Sequence, residues 1–173
     1  PDPRAILRAH EFTPSRSLRT NVRNGGFEVT ADQAFETVVS LCADVPRNGD
    51  GTWITPNMRA AYAALHEAGY AHSIESWRQG KLVGGLYGVS IGTWFFGESM
   101  FTLVSNASKV AFAVLVDQLA HWGFDAIDCQ MMNDHLRSLG VKSVSRSRFL
   151  SELRRNDPSL TRCGPWALEN RDA

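Results

Sequence analysis

Residues 71–130 carry the pattern that limits the fold most: three short apolar strands, a long apolar helix and a fourth strand. The predicted strands cover residues 71–79, 81–91, 93–101 and 125–130, and the predicted helix covers 106–123. Gln79-Gly80-Lys81 is typical of a hairpin turn, and Asn106 and Gly123 fit the start and end of the helix. A meander that continues through a helix into another strand predicts a mixed sheet covered by helices.

Further helices are predicted on both sides of this region. One covers 30–43, with Thr30 and Gln33 as a capping box, and the next begins at Thr55 and ends at Gly69. Two short helices follow the last strand, at 133–140 and 145–155. The order α-α-β-β-β-α-β-α predicts an α+β fold with an acetyltransferase-like mixed sheet flanked by helices.

Acetyltransferases bind the acyl-CoA pyrophosphate on backbone N–H groups of a glycine-rich loop that opens the crossover helix. The corresponding stretch here, "FTLVSNASKV" at 101–110, contains no glycine. The sequence therefore predicts the acetyltransferase-like architecture without an acyl-CoA pyrophosphate loop.

The two ends of the chain are predicted to lie outside the acetyltransferase-like domain at 30–155. Residues 1–29 are rich in Pro, Arg and Gly, which favours a basic entry segment made of solvated loop or edge strand. Residues 156–173 are predicted to be a polar C-terminal tail.

Bulk properties exclude several classes of protein. The formal net charge is zero, so any nucleic-acid contact must come from a local basic patch. Three widely spaced cysteines argue against a disulfide framework or structural zinc and favour a cytoplasmic setting. No apolar run approaches the roughly 18 residues needed to cross a bilayer. The histidines lack metal-binding spacing, so no metal is expected.

The strand at 125–130 ends in groups that can do chemistry: Asp128, Cys129 and Gln130, with His135 following. In a regular strand Asp128 and Gln130 share one face and Cys129 points to the other. The Asp128 charge should raise the pKa of the Cys129 thiol, so we interpret Cys129 as a packed residue rather than a nucleophile. Asp128 and Gln130 are then either a ligand-binding pair or two polar residues at the solvent-exposed end of an ordinary strand.

Glu98 poses a similar question within the apolar strand "TWFFGESMF". An unpaired carboxylate inside such a strand would be costly. The residue is therefore either on the solvent face of the strand or a recognition carboxylate beside an apolar pocket.

Together these motifs resemble the leucyl/phenylalanyl-tRNA–protein transferase family, the bacterial aminoacyltransferases of the N-degron pathway. The resemblance rests on "PDPR" at 1–4, "SRS" at 15–17, "GTWIT" at 51–55, "LVGGLYGVSIGT" at 82–93, "GESMF" at 97–101, "NASK" at 106–109 and "DCQ" at 128–130. It covers roughly residues 1–155. It implies transfer of Leu or Phe, sometimes Met, from charged tRNA to proteins with N-terminal Arg or Lys, without coenzyme A or another cofactor.

The resemblance also implies roles for individual residues. Asp128 and Gln130 would form a catalytic pair in which Asp128 orients Gln130 and the Gln130 carbonyl oxygen accepts a hydrogen bond from the attacking amine. The implied substrate-binding residues are Glu98, Met100, Trp53, Ile127, Leu115 and Leu119. The implied tRNA-binding residues are Arg16, Arg19 and Arg23. Family members carry a further N-terminal domain before "PDPR", which this sequence does not include.

Two other functions remain open at this point. The first is another acetyltransferase-like enzyme that uses aminoacyl-tRNA to modify a different acceptor, such as a lipid or another peptide. The second is a binding domain without catalysis, which recognises charged tRNA ends or N-degron peptides.

Overall fold

The computed structural model describes residues 1–44 and 52–169. The strands are β1 Arg4–Arg8, β2 Glu28–Ala31, β3 Ala71–Arg78, β4 Lys81–Ile91, β5 Trp94–Thr102, β6 Ala126–Gln130 and β7 Lys142–Val144. The helices are α1 Arg16–Asn24, α2 Phe35–Asp44, α3 Pro56–Glu67, α4 Ala107–His121, α5 Asp134–Ser138 and α6 Arg146–Leu153. The strands form one sheet in the order β2-β3-β4-β5-β6-β1-β7.

β5 and β6 form a parallel pair inside an otherwise antiparallel sheet. α4 connects them, as a crossover between parallel strands requires. This mixed sheet flanked by helices confirms the predicted α+β fold class. β6 lies between β5 and β1, as its hydrophobicity predicted.

Helices cover both faces of the sheet, and two adjacent glycines allow them to approach closely. A Cβ on Gly84 would lie 2.5 Å from Ala107 Cβ at the start of α4. A Cβ on Gly85 would lie 2.8 Å from the Ile74 carbonyl and 3.4 Å from Val38 in α2. Because successive residues of a strand face opposite sides, the pair admits α4 on one face and α2 on the other.

The prediction that residues 1–29 are solvated loop or edge strand was wrong for two segments, β1 and α1. β1 is an interior strand between β6 and β7, and residues 16–24 form a helix whose Leu18 is buried against the α4 core. In β1, the three consecutive residues Ala5, Ile6 and Leu7 are all buried. Three apolar residues between two arginines are too weak a pattern to reveal a strand that is paired on both edges.

Other boundaries also differ from the prediction. Thr30 belongs to β2, and its hydroxyl donates to Glu75, so α2 begins at Phe35 and the expected capping box is absent. Thr55 caps α3 as expected. Asn106 occupies the cap position of α4 in a left-handed conformation, φ 69°, and its side chain does not cap. The predicted tail contributes Trp166, which is buried in the core. The loop predicted at 45–53 lies mostly outside the described residues, as do residues 170–173 of the predicted tail.

Candidate active site

A cavity of about 690 Å³ opens where β5 and β6 separate. The two strands pair only from Trp94 to Phe96, opposite Ala126 to Asp128. Beyond this paired stretch each strand has a β-bulge, which is one extra residue relative to the strand on its other side, β4 for β5 and β1 for β6. Glu98 is the extra residue of β5 opposite β4, and Cys129 is the extra residue of β6 opposite β1. Such bulges redirect side chains, and here both lie at the edge of the cavity.

Gln130 bridges the gap between the separating strands. Its backbone is left-handed, φ 63°, which turns the side chain toward β5. Its Nε2 donates to the Gly97 carbonyl at 3.1 Å and to Glu98 Oε2 at 3.4 Å. Both amide hydrogens are thereby directed at β5. The carbonyl oxygen Oε1 is the end of the amide that can accept a hydrogen bond from a substrate.

Asp128 is fully buried and does not line the cavity. Arg4 on β1 binds its carboxylate with two nitrogens, at 2.6 Å for Nη2–Oδ2 and 2.9 Å for Nε–Oδ1. Its Oδ1 also accepts the backbone N–H of Gln130 at 2.9 Å. The expectation that both side chains share one strand face was wrong, because the bulge at Cys129 breaks the alternation. Asp128 contacts the Gln130 backbone instead of its side chain.

Glu98 is the charged group of the cavity. It is half-buried and contacts Gln130 from one side. From α3, the Tyr62 hydroxyl is hydrogen-bonded to the same carboxylate. Burial raises the pKa of Tyr62 above its ordinary value, and the Glu98 charge raises it further. Tyr62 therefore stays a neutral donor that orients Glu98. No pattern in the sequence links Tyr62 to Glu98, because Tyr62 lies 36 positions away on another element.

The remaining walls are mainly apolar. Of the predicted pocket residues, Met100, Leu115 and Ile127 line the cavity, and the structure adds Leu86, Phe95, Phe112 and Leu136. Leu119 is fully buried in the core around α4 and does not line it. Trp53 lines the cavity with its side chain exposed, as does Met131. The cavity thus has mainly apolar walls, and two of the residues that line it, Trp53 and Met131, have large exposed side chains.

Cys129 lines the cavity as an inert thiol. Burial raises its pKa to about 12, and the neighbouring Asp128 charge acts in the same direction. A nucleophilic cysteine needs the opposite shift. His135 also lines the cavity, and burial lowers its pKa, as does nearby Lys109. The site therefore does not have the electrostatics of a cysteine–histidine nucleophile.

Arg16, Arg19 and Arg23 lie together on the outer face of α1. Their spacing of three and four residues aligns them along one helix face, and all three are exposed. They line a shallow cleft of about 420 Å³ with Thr20 and Asn24. The opposite face of α1 packs on the core through Leu18 and Val22. The structure thus gathers the predicted basic residues into one patch, away from the cavity wall.

Among residues 1–44 and 52–169, no group of three or more His, Cys, Asp or Glu side chains could hold a metal ion. Within the same ranges, every helix is too short or too polar to cross a bilayer.

Comparisons with known proteins agree with this architecture. A family model described as leucyl/phenylalanyl-tRNA protein transferase matches residues 6–154. The transferase of that name from Nitrosospira multiformis is 49% identical over 170 residues, which cover 98% of this chain and 73% of the relative. The one from Myxococcus xanthus is 50% identical over 167 residues, covering 96% of this chain and 71% of the relative.

Two solved structures share the fold at low sequence identity. The C-terminal domain of a putative lysylphosphatidylglycerol synthetase from Agrobacterium fabrum aligns with a TM-score of 0.51 and 12% identity, over 79% of this chain and 49% of that one. A conserved protein of unknown function from Staphylococcus epidermidis aligns with a TM-score of 0.53 and 7% identity, over 82% of this chain and 56% of that one.

Proposed function

Because this chain belongs to the leucyl/phenylalanyl-tRNA–protein transferase family, we propose that it transfers Leu, Phe or Met from charged tRNA to proteins with N-terminal Arg or Lys. The observation that carries the proposal is an apolar cavity with a carboxylate and an amide at its edge. Charged tRNA is a cytoplasmic molecule, so we assign the reaction to the cytoplasm. No cofactor takes part in the reaction we propose.

The aminoacyl side chain occupies the apolar part of the cavity. Met100, Leu115 and Ile127 offer flexible or branched aliphatic surface, which suits Leu, Phe and Met alike. A difference of one methylene discriminates between ligands by only about 1–3 kcal/mol, so sharp selection among these three is not expected. Trp53, exposed at the cavity, is suited to stack on the terminal adenosine of the tRNA.

The reaction is aminolysis of an ester. The acceptor amine forms a C–N bond with the aminoacyl carbonyl carbon, and the C–O bond to the ribose breaks. The amine loses a proton, and the ribose hydroxyl leaves with one. A free α-amine has a pKa of about 7.7–8.0, so part of it is neutral near neutral pH. Since the ester is already activated, positioning supplies most of the acceleration.

Gln130 positions the attacking amine in this proposal. Its Oε1 accepts a hydrogen bond from the amine, while Nε2 is held by Gly97 and Glu98. Asp128 is a positioning residue, since its carboxylate is bound by Arg4 and the Gln130 backbone and does not face the cavity. A general-base role for Asp128 is therefore not part of the proposal.

Glu98 supplies the preference for a basic acceptor. A half-buried carboxylate binds a guanidinium or ammonium group through charge-assisted hydrogen bonds. Its neighbours Tyr62 and Gln130 both donate hydrogen bonds to it and hold it in place.

Replacing Glu98 with Gln should raise the KM for a peptide with N-terminal Arg about 10- to 100-fold. A hydrogen bond to a charged group contributes about 1.5–3 kcal/mol, and the substitution removes the charge while keeping the shape. Steady-state transfer at varied peptide concentration measures this effect. Tyr62→Phe, which removes a partner of Glu98 but keeps the charge, is the matched control and should change KM less. An unchanged KM in Glu98→Gln would rule out Glu98 as the acceptor-binding group.

The basic patch on α1 binds the phosphate backbone of the tRNA. The three arginines are exposed on one helix face, and arginine is among the residues that most often contact phosphate oxygens in nucleic acids. Because the chain has zero formal net charge, this local patch has to supply the attraction.

Replacing Arg16, Arg19 and Arg23 together with Ala should weaken charged-tRNA binding and flatten its salt dependence. Each neutralised phosphate contributes about 0.7–0.9 to the slope of log K against log salt, so the slope should fall by about 2–3. Titrations between about 50 and 200 mM salt measure it. The matched control replaces Arg146, Arg154 and Arg155, exposed arginines on or just after α6, and should keep the slope. Equal slopes in both triple variants would contradict the assignment to α1.

The proposed activity is tested by measuring the mass of an acceptor peptide after the reaction. The chain is mixed with Phe-charged or Leu-charged tRNA and a peptide that begins with Arg, and the product is analysed by mass spectrometry. A gain of one Phe or Leu residue, absent when the peptide N-terminus is acetylated, would support the proposal. Transfer to other acceptors, with none to Arg or Lys peptides, would favour a different aminoacyl-tRNA-dependent transferase.

A further inference from the structure

Arg4 is a half-buried cation close to the proposed reaction site, yet it does not line the cavity. It lies on β1, which pairs with β6 directly beside Asp128 and Gln130. Its guanidinium makes three contacts to the Asp128 carboxylate, with nitrogen–oxygen distances of 2.6, 2.9 and 3.1 Å. The side chain is 19% exposed, whereas Asp128 is fully buried.

We propose that Arg4 is a positioning residue that fixes the Gln130 amide for catalysis by acting through Asp128. This inference rests on the proposed function of Gln130. The chain of contacts runs from the Arg4 guanidinium to the Asp128 carboxylate and from there to the Gln130 backbone N–H.

The Gln130 backbone explains why such a support is needed. A non-glycine residue with φ of 63° is in a conformation that costs free energy unless its surroundings enforce it. The hydrogen bond from Gln130 N–H to Asp128 Oδ1 enforces it, at 2.9 Å. The same conformation turns the side chain across the gap toward Gly97. If the Asp128 carboxylate rotates, the Gln130 N–H loses its acceptor, and the Gln130 side-chain amide no longer keeps its orientation toward Gly97.

Arg4 fixes the carboxylate in a way that a lysine could not. Its Nε and Nη2 hold both carboxylate oxygens in one plane, which is the bidentate geometry of a guanidinium. The guanidinium is itself fixed from α6, because its carbon lies 4.8 Å from the centre of the Phe149 ring. Arg4 is thus held by a ring on one side and holds the carboxylate on the other.

The chain contains a matched control for this arrangement. Arg8, four residues further along β1, pairs with Glu152 and lies over the Trp94 ring at 5.7 Å. It has the same kind of partners, an acid and an aromatic ring, but it lies outside the cavity and has no link to Gln130.

Arg4→Ala should lower kcat of transfer about 10- to 100-fold, with KM for peptide and for charged tRNA within about twofold of wild type, since only positioning is lost. Arg4→Lys should be almost as slow as Arg4→Ala, because lysine lacks the bidentate geometry. Millimolar guanidinium should restore part of the kcat of Arg4→Ala. Arg8→Ala should transfer like wild type. The double variant Arg4→Ala/Asp128→Ala should be no slower than Asp128→Ala, because both act through one path.

A readout that is independent of activity uses selective ¹⁵N-labelling of the four glutamines, residues 33, 79, 118 and 130. Arg4→Ala should shift both the backbone and side-chain signals of Gln130, whereas Arg8→Ala should leave them in place. These spectra test the inference even if wild-type protein shows no transfer, which would overturn only the proposed function. Unmoved Gln130 signals would overturn the inference, as would an active wild type with equal kcat in Arg4→Ala, or equal losses in Arg4→Ala and Arg8→Ala.

Discussion

Gln130→Met should transfer amino acids about 100- to 1000-fold more slowly than wild type, the loss typical of removing one preorganised hydrogen-bonding group at a reacting centre. Methionine keeps the length and volume of the side chain but cannot accept the hydrogen bond of the attacking amine. It also loses the Nε2 contacts to Gly97 and Glu98. Single-turnover transfer with saturating charged tRNA and peptide isolates this step.

The matched control for this substitution is Gln118→Met. Gln118 is a buried glutamine on α4 that accepts the backbone N–H of Glu169, outside the cavity. The same chemical change there should lower stability but leave the rate of transfer by the folded protein within a few-fold of wild type. Similar rates in Gln130→Met and wild type would remove Gln130 from the reaction.

Asp128→Ala should have the largest combined effect, on rate and on stability. It leaves the Arg4 guanidinium and the Gln130 N–H without their acceptor. Removing one partner of a buried ion pair costs about 3–5 kcal/mol, and we expect the lower end, about 3 kcal/mol, because Arg4 is 19% exposed. For a chain of this size that corresponds to a fall in Tm of about 6–12 °C. The rate of the folded enzyme should fall about 100-fold, the loss that a misplacement of a reacting group by about 1 Å can cause.

The comparison for Asp128→Ala is Glu152→Ala. Glu152 is the acid that pairs with Arg8, and it is 20% exposed rather than fully buried. Its removal should cost about 1 kcal/mol or less and should not change the rate, since a solvated pair contributes little. Thermal melts and single-turnover rates distinguish the two variants. A loss of rate under tenfold in Asp128→Ala would restrict Asp128 to a structural role.

The centre of the fold was predictable because its elements carry strong local signals. The hairpin of β3 and β4, the strand β5 and the crossover helix α4 have long apolar patterns with clear end signals, and the short strand β6 directly follows the end of α4. β1, β2 and β7 were missed because each has five residues or fewer and, unlike β6, none follows a strongly predicted helix that marks its position. Their pairing with distant strands stabilises them, and a short sequence window contains no trace of that pairing.

The sequence points to some of the residues around the cavity but not to their geometry, since Leu119 does not line the cavity and Tyr62, which does, was not foreseen. The polar groups that interrupt apolar strands, Glu98, Asp128 and Gln130, do meet at the point where β5 and β6 separate. The two bulges could not be foreseen, because strict alternation is the only rule that a strand sequence offers. Arg4 was outside the prediction for the same reason that β1 was. An ion pair between residues 124 positions apart exists only once the sheet has formed.

The most direct test is a crystal structure with phenylalanyl-adenosine in which an amide replaces the reactive ester. We expect the Phe side chain to lie against Met100, Leu115 and Ile127, and the carbonyl carbon to be within reach of an amine bound to Gln130 Oε1. Ligand bound at another surface, with the cavity between β5 and β6 empty at saturating concentration, would contradict the central claim that transfer takes place there.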